Sequence, residues 1–193
     1  MFRILGARRR EGLPLRRQTF HPVKTDPILA CMGSVRAIAV PQGSLLARFG
    51  GAEDYRDAFC REVEGAVSLE QFIARFYASA AFRPELLLLG VIGRGASTAE
   101  IGALARGVSD RLAVWRVVER TDTPSSSGAV GQKRSEILLH SKDSGTASWL
   151  AVEPSQSGTR LLFGSWVGKV GQSGWRHMLR PHRLYSRVLL AGC

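Results

Sequence analysis

The stretch Trp175-Arg176-His177-Met178-Leu179-Arg180-Pro181-His182-Arg183-Leu184-Tyr185-Ser186-Arg187-Val188-Leu189-Leu190 decides how the rest of this chain is read. Wound at about 100° per residue, it puts Trp175, Met178, His182, Tyr185 and Leu189 on one face and Arg176, Arg180, Arg183 and Arg187 almost opposite. That is a helix with a core side and a guanidinium side. Three strand-like runs precede it, Glu136 to Ser141, Thr146 to Glu153 and Thr159 to Val167, separated by turn residues suited to antiparallel hairpins. A curved antiparallel sheet wrapped around the long C-terminal helix is the simplest way to bury both apolar faces, so the expected class is α+β.

The hairpin loops set which side chains face that helix. With Asp143-Ser144-Gly145 as the first loop, Leu139 falls opposite Trp149 and Ile137 opposite Ala151; with Pro154 to Gly158 as the second, Trp149 falls opposite Phe163 and Ala151 opposite Leu161. The expected inner face is then Ile137, Leu139, Ala147, Trp149, Ala151, Leu161 and Phe163, with Glu153 and Thr159 at its rim. Ala147 and Ala151 beside large rings leave room for a cavity. The other face, with Glu136, His140, Lys142, Ser148, Arg160 and Trp166, reads as the wetter one.

Upstream, residues 1–33 mix Arg, Pro, Gly and Thr without helical or strand period and read as a basic arm, with Met32 offering an alternative start; residues 34–193 read as one domain. Val35 to Val40 is expected to be a strand. Glu53 and Asp54 open an expected helix carrying Tyr55, Phe59 and Val63 on one face. A second helix starts at the capping-box pair Ser68 and Gln71 and runs to Pro84; Ser97 and Glu100 repeat the pattern before a short helix to Arg106. Glu85 to Ile92 fits a helix or a strand. Arg111 to Arg120 reads as one strand covered on both faces, and Thr123 to Ser135 as a Ser/Gly-rich loop.

Composition limits the function classes. Of the net charge of +11, residues 1–25 hold +6 and residues 166–193 hold +5, while the rest is neutral. Basicity confined to an arm and one helix face predicts weak, non-specific attraction to polyanions and no specific nucleic-acid recognition. Cys31, Cys60 and Cys193 have neither disulfide-framework nor zinc spacing, which suits a reducing, cytoplasmic setting. The longest apolar run, Leu86 to Ile92, is far short of the roughly 20 residues of a membrane helix.

Three stretches carry a family resemblance: Ala-Glu-Asp-Tyr-Arg-Asp-Ala-Phe (52–59), Thr-Arg-Leu-Leu-Phe-Gly-Ser-Trp (159–166) and Pro-His-Arg-Leu-Tyr-Ser-Arg-Val-Leu-Leu (181–190). Their order and spacing over residues 36–193 resemble an uncharacterised bacterial domain-of-unknown-function family of START-like (SRPBCC, helix-grip) proteins. The resemblance implies a helix-grip fold with an internal cavity and, in some relatives, a neighbouring NAD-binding domain. It brings no catalytic residues, and fold alone does not give function.

The chemistry therefore rests on individual side chains. His182, in the apolar arc of the last helix, suits either a polar contact to a ligand or a structural imidazole at the Pro181 interruption. The expected ligand-binding set is Leu139, Trp149, Ala151, Phe163, Met178, His182 and Tyr185, around a small apolar or amphipathic molecule. The alternative is a cyclase- or hydrolase-like enzyme using His182 or Glu153 as acid/base in the same cavity. His140, Asp143 and Ser144 share one hairpin end and do not suit a triad, Ser165 lacks the nucleophile-elbow pattern, and Gly93-Arg94-Gly95 lacks the third glycine of a dinucleotide fingerprint. No metal ligand spacing occurs among His21, His140, His177 and His182, and no cofactor is expected.

Overall fold

The computed structural model describes residues 35–91, 93–122, 134–169 and 175–193. The arm 1–33 and positions 123–133 of the Ser/Gly-rich loop lie outside the described residues. The elements are β1 (Arg36–Ile38), α1 (Leu45–Arg48), β2 (Tyr55–Glu64), α2 (Leu69–Ala78), α3 (Arg83–Val91), α4 (Thr98–Ala105), β3 (Arg111–Leu112), β4 (Trp115–Thr121), β5 (Ser135–Ser141), β6 (Thr146–Ser155), β7 (Gly158–Val167) and α5 (Trp175–Ala191). The described strands form one antiparallel sheet in the order β1-β2-β7-β6-β5-β4-β3. The fold is thus α+β, an antiparallel sheet with a C-terminal helix.

Both capping boxes form. Ser68 Oγ accepts from Gln71 N while Gln71 Oε1 accepts from Ser68 N, and Ser97 and Glu100 do the same at the start of α4. Glu85 to Val91 resolves as helix, within α3.

Three expectations are corrected. Residues 53–63 are not a helix: Tyr55–Glu64 is a strand paired on both sides, with β1 and with β7. Tyr55, Phe59 and Val63 are four apart, a spacing that keeps side chains on one side of a helix and equally on one side of a strand. The tie is broken by Ala58 and Cys60, which are buried on the opposite side and would face solvent on such a helix. Residues 111–120 are not one strand either: the chain reverses at Ala113-Val114, with Ala113 at φ 52°, and pairs Leu112 with Trp115.

The third correction changes which residues face α5. Ser141 pairs with Thr146 across a four-residue turn, so β5 and β6 are one residue out from the expected register; Ser155 pairs with Gly158, so β6 and β7 are as well. Trp149 consequently lies opposite Leu138 and Gly164, and Ala151 opposite Glu136 and Leu162. Pro154, expected in a loop, instead extends β6, opposite Thr159 of β7.

The sheet is buried on both faces. On one, Phe59, Leu150, Leu161, Phe163, Ile137 and Leu139 pack beneath α2, α4 and the end of α5. On the other, Ala58, Cys60, Leu138, Ala147, Trp149, Ala151 and Leu162 pack beneath Leu45 and Leu46 of α1, so the face expected to be wet is also core. Glu136 ties that second layer down: its Oε2 accepts from Leu45 N at 3.1 Å and from Trp149 Nε1 at 2.7 Å.

Candidate functional site

The antiparallel pairing places successive rows of side chains on the face toward α5. One row is Phe59, Phe163, Leu150 and Ile137; the next is Asp57, Ser165, Ser148 and Leu139. The first is apolar throughout, and the second is polar except at Leu139. Above the polar row, α5 contributes His182, Tyr185, Ser186 and Leu189, and between sheet and helix lies a cavity of about 110 Å³. Helices α2 and α3, the turn between them and the start of β4 supply Phe76, Tyr77, Phe82, Glu85 and Trp115 to its wall.

The ring contacts give that wall its shape. Phe163 and Phe76 lie 4.8 Å apart at 37°, Phe76 and Phe82 6.0 Å apart at 44°, and Phe82 and Trp115 6.0 Å apart at 50°. Successive tilts of this size make a curved aromatic lining.

At the polar end Asp57 is only 9% exposed and its Oδ2 accepts from Tyr55 Oη at 2.9 Å. Burial raises its pKa above the ordinary 3.8, against the opposing pull of the Tyr55 hydroxyl, the His182 ring and the Ser165 N–H and hydroxyl. The Ser165 hydroxyl favours the carboxylate, yet neither Asp57 Oδ1 nor Ser165 Oγ completes a hydrogen bond of normal geometry with a described residue. Burial pulls His182 below 6.5, and the charge of Asp57 partly restores it. At the other end Tyr185 Oη donates to Glu85 Oε2 at 2.8 Å; burial raises Glu85 above its ordinary 4.5 and raises Tyr185 as well. Pro181 leaves the carbonyl of His177 without its helical donor, and one turn on Ser186 Oγ donates to the carbonyl of His182 at 3.0 Å.

Of the residues singled out from the sequence, Phe163, His182 and Tyr185 line this cavity, and Leu139 lies in the same layer beside Ser148. Trp149 and Ala151 do not; the register places both in the opposite core layer. Met178 is 54% exposed, because the first turns of α5 run beyond the buried part of the sheet. Glu153 belongs to the far face too, where it bonds Arg134 at 2.7 Å and approaches Arg160 at 3.5 Å, so His182 and Glu153 do not share a cavity. Thr159 parts from Glu153: its hydroxyl accepts from Val67 N and donates to Gly65 O.

The residues that sequence reasoning missed are Asp57, Ser148, Glu85 and the Phe76, Phe82 and Trp115 rings. Asp57 was the readable one: with 55–64 taken as a strand, an acid falls between Tyr55 and Phe59 on an apolar face. His140 packs against Phe49 and Trp166 at 5.2 and 5.6 Å, while Asp143 pairs with Arg94, so the triad letters do not converge. Among the described residues no three His, Cys, Asp or Glu are grouped to hold a metal ion, and no helix is long and apolar enough to cross a membrane.

No family model and no curated protein matches the chain. Among solved structures, a structural-genomics protein from Rhodobacter sphaeroides is 15% identical, with 82% of this chain and 99% of that chain covered, at a TM-score of 0.23. At that score the likeness decides neither fold nor function.

Proposed function

We propose that the protein is a small-molecule-binding module of helix-grip type, holding an amphipathic ligand between the sheet and α5. The observation that carries this reading is the cavity itself: a space of about 110 Å³ with an aromatic wall at one side and Ser148, Ser165 and His182 at the other, Asp57 lying next to Ser165 in the same row of the sheet. A dry core closes such space or lines it with apolar atoms, whereas a ligand site sets a few polar groups into an apolar wall. The volume is below the roughly 150 Å³ of an engineered apolar cavity that takes up benzene, which limits the ligand to about ring size.

A second reading draws on one specific feature, the approach of Asp57 to His182. Two buried ionisable groups that perturb each other are the starting point for acid/base chemistry, with His182 as the proton carrier and Asp57 setting its charge state. Glu153, the other residue considered as acid/base, lies on the far face of the sheet with Arg134 and Arg160.

The test is native mass spectrometry of protein purified from its own host, with Phe163→Ala and His182→Gln alongside. A stoichiometric small molecule in the wild type that is lost from both variants supports the binding module. A molecule that returns chemically altered after incubation with wild type, and unaltered with His182→Gln, supports the enzyme. Retention of no molecule by any form, with no ligand-induced spectral change at these residues, overturns both.

A further inference from the structure

The one acidic residue among the described lining residues is Glu85, and no lysine or arginine is among them. Asp57, paired with Ser165 in the sheet, adds a second acid whose charge is felt at the His182 ring. The remaining wall is rich in aromatic rings, whose faces attract cations. The Ser165 hydroxyl, 3% exposed and on the cavity wall, has the Asp57 carboxylate as its neighbouring acceptor, and its own oxygen meets no donor among the described residues. A buried acceptor left unfilled is costly, and an N–H donor fills it.

We propose that the ligand of this cavity is a small protonated amine, with Glu85 as counter-ion, Ser165 as acceptor, and Phe76, Phe82, Trp115 and Phe163 as the aromatic wall. The inference rests on the binding reading above and narrows it to a ligand class. An anionic ligand meets Glu85 with no lysine or arginine among the described lining residues to offset the repulsion. A neutral ligand leaves the buried acid uncompensated, which is the state in which its pKa stands above the ordinary value. An ammonium supplies the missing charge, and its N–H groups can meet the Ser165 oxygen on the cavity wall.

The test compares cyclopentylamine with cyclopentanol, which share shape and differ in charge, by two-dimensional NMR titration of the ligand-free full chain near neutral pH. The expected result is that the amine binds at least about tenfold more tightly than the alcohol, with shifts centred on Ser165, His182 and Tyr185. The Glu85 carboxyl carbon should titrate at lower pH when the amine is bound. Glu85→Gln should remove most of the preference for the amine while leaving alcohol binding in place. Should Glu85→Gln fail to fold, the amine-to-alcohol ratio on wild type decides alone. Equal or tighter binding of the alcohol overturns the amine assignment and leaves the binding module standing. Binding of neither, with no shifts at the cavity, overturns both.

Discussion

Arg61 Nη1 lies 2.7 Å from the carbonyl oxygen of Ala191, and it also meets the carbonyls of Leu190 and Cys193 at 3.4 and 3.2 Å. A guanidinium from β2 therefore caps the C-terminus of α5, where the helix leaves its last carbonyls unbonded and the dipole favours a cation. Four residues back along β2, Asp57 faces His182, so the same strand contacts α5 at both ends of its buried part. Arg61→Met should cost about 1–3 kcal/mol, since hydrogen bonds from a charged donor are lost and the helix end frays. Hydrogen exchange localises the effect: amides of 186–191 should exchange faster than those of α2. Uniform loss of protection across both helices would show that Arg61 does not act as a local cap.

The buried carboxylate of Glu136 is the second anchor. Its Oε2 serves both the first turn of α1 and the indole of Trp149, which is fully buried. Glu136→Leu strands two buried donors and should cost about 2–5 kcal/mol; Glu136→Gln keeps a carbonyl oxygen and should cost less than half as much. Urea unfolding followed by tryptophan fluorescence measures both. Equal costs for the two variants would mean that the acceptor oxygen is not what matters.

Local signals were legible in the sequence wherever one residue type has a single use. Ser68 with Gln71 and Ser97 with Glu100 mark helix starts because a side-chain acceptor must meet a free N–H three residues on, and both form. The three C-terminal strands and the final helix were legible from periodicity. What failed was phase. Tyr55, Phe59 and Val63 satisfy both periods, so β2 was read as a helix and Asp57 was hidden with it. The hairpin registers hinged on single residues: Ser155 pairs with Gly158 instead of falling inside a loop, and that one step carries Trp149 and Ala151 to the other face. A space between the sheet and the last helix was expected, but about a third of its wall comes from α2, α3, the turn between them and β4, which no local pattern connects to α5.

Acidity gives a third prediction. Burial keeps the Glu85 carboxyl above its ordinary 4.5, so the native state holds a proton that the unfolded chain has already released. Stability from this group is therefore greatest in acid and falls as pH rises from about 4.5 through the native value. His182 acts in the opposite sense: held below 6.5 by burial, it makes stability rise with pH up to about 6.5. Glu85→Gln should match wild type most closely in acid and gain on it as pH rises from about 4.5, while His182→Gln should flatten the rise below about pH 6.5. Denaturant midpoints across this range provide the measurement. A constant difference between wild type and Glu85→Gln would mean that the carboxyl has its ordinary pKa.

The last prediction uses the two faces of β6 against each other. Ser148 and Ala151 are three residues apart on one strand, yet Ser148 borders the cavity while Ala151 is fully buried in the far layer, opposite Leu162 and Glu136. A phenylalanine at 148 has space to enter, between Phe163 and His182. A tryptophan at 151 has none, because Leu138, Leu162 and the α1 leucines already fill that layer. Ala151→Trp should therefore lose about 1–3 kcal/mol or more through overpacking, whereas Ser148→Phe should stay within about 1 kcal/mol of wild type and abolish binding of any ring-sized ligand. Thermal melts with and without the amine separate the two effects. If Ser148→Phe were as destabilising as Ala151→Trp, the space beneath α5 would be closed core, and the binding reading would lose the observation on which it stands.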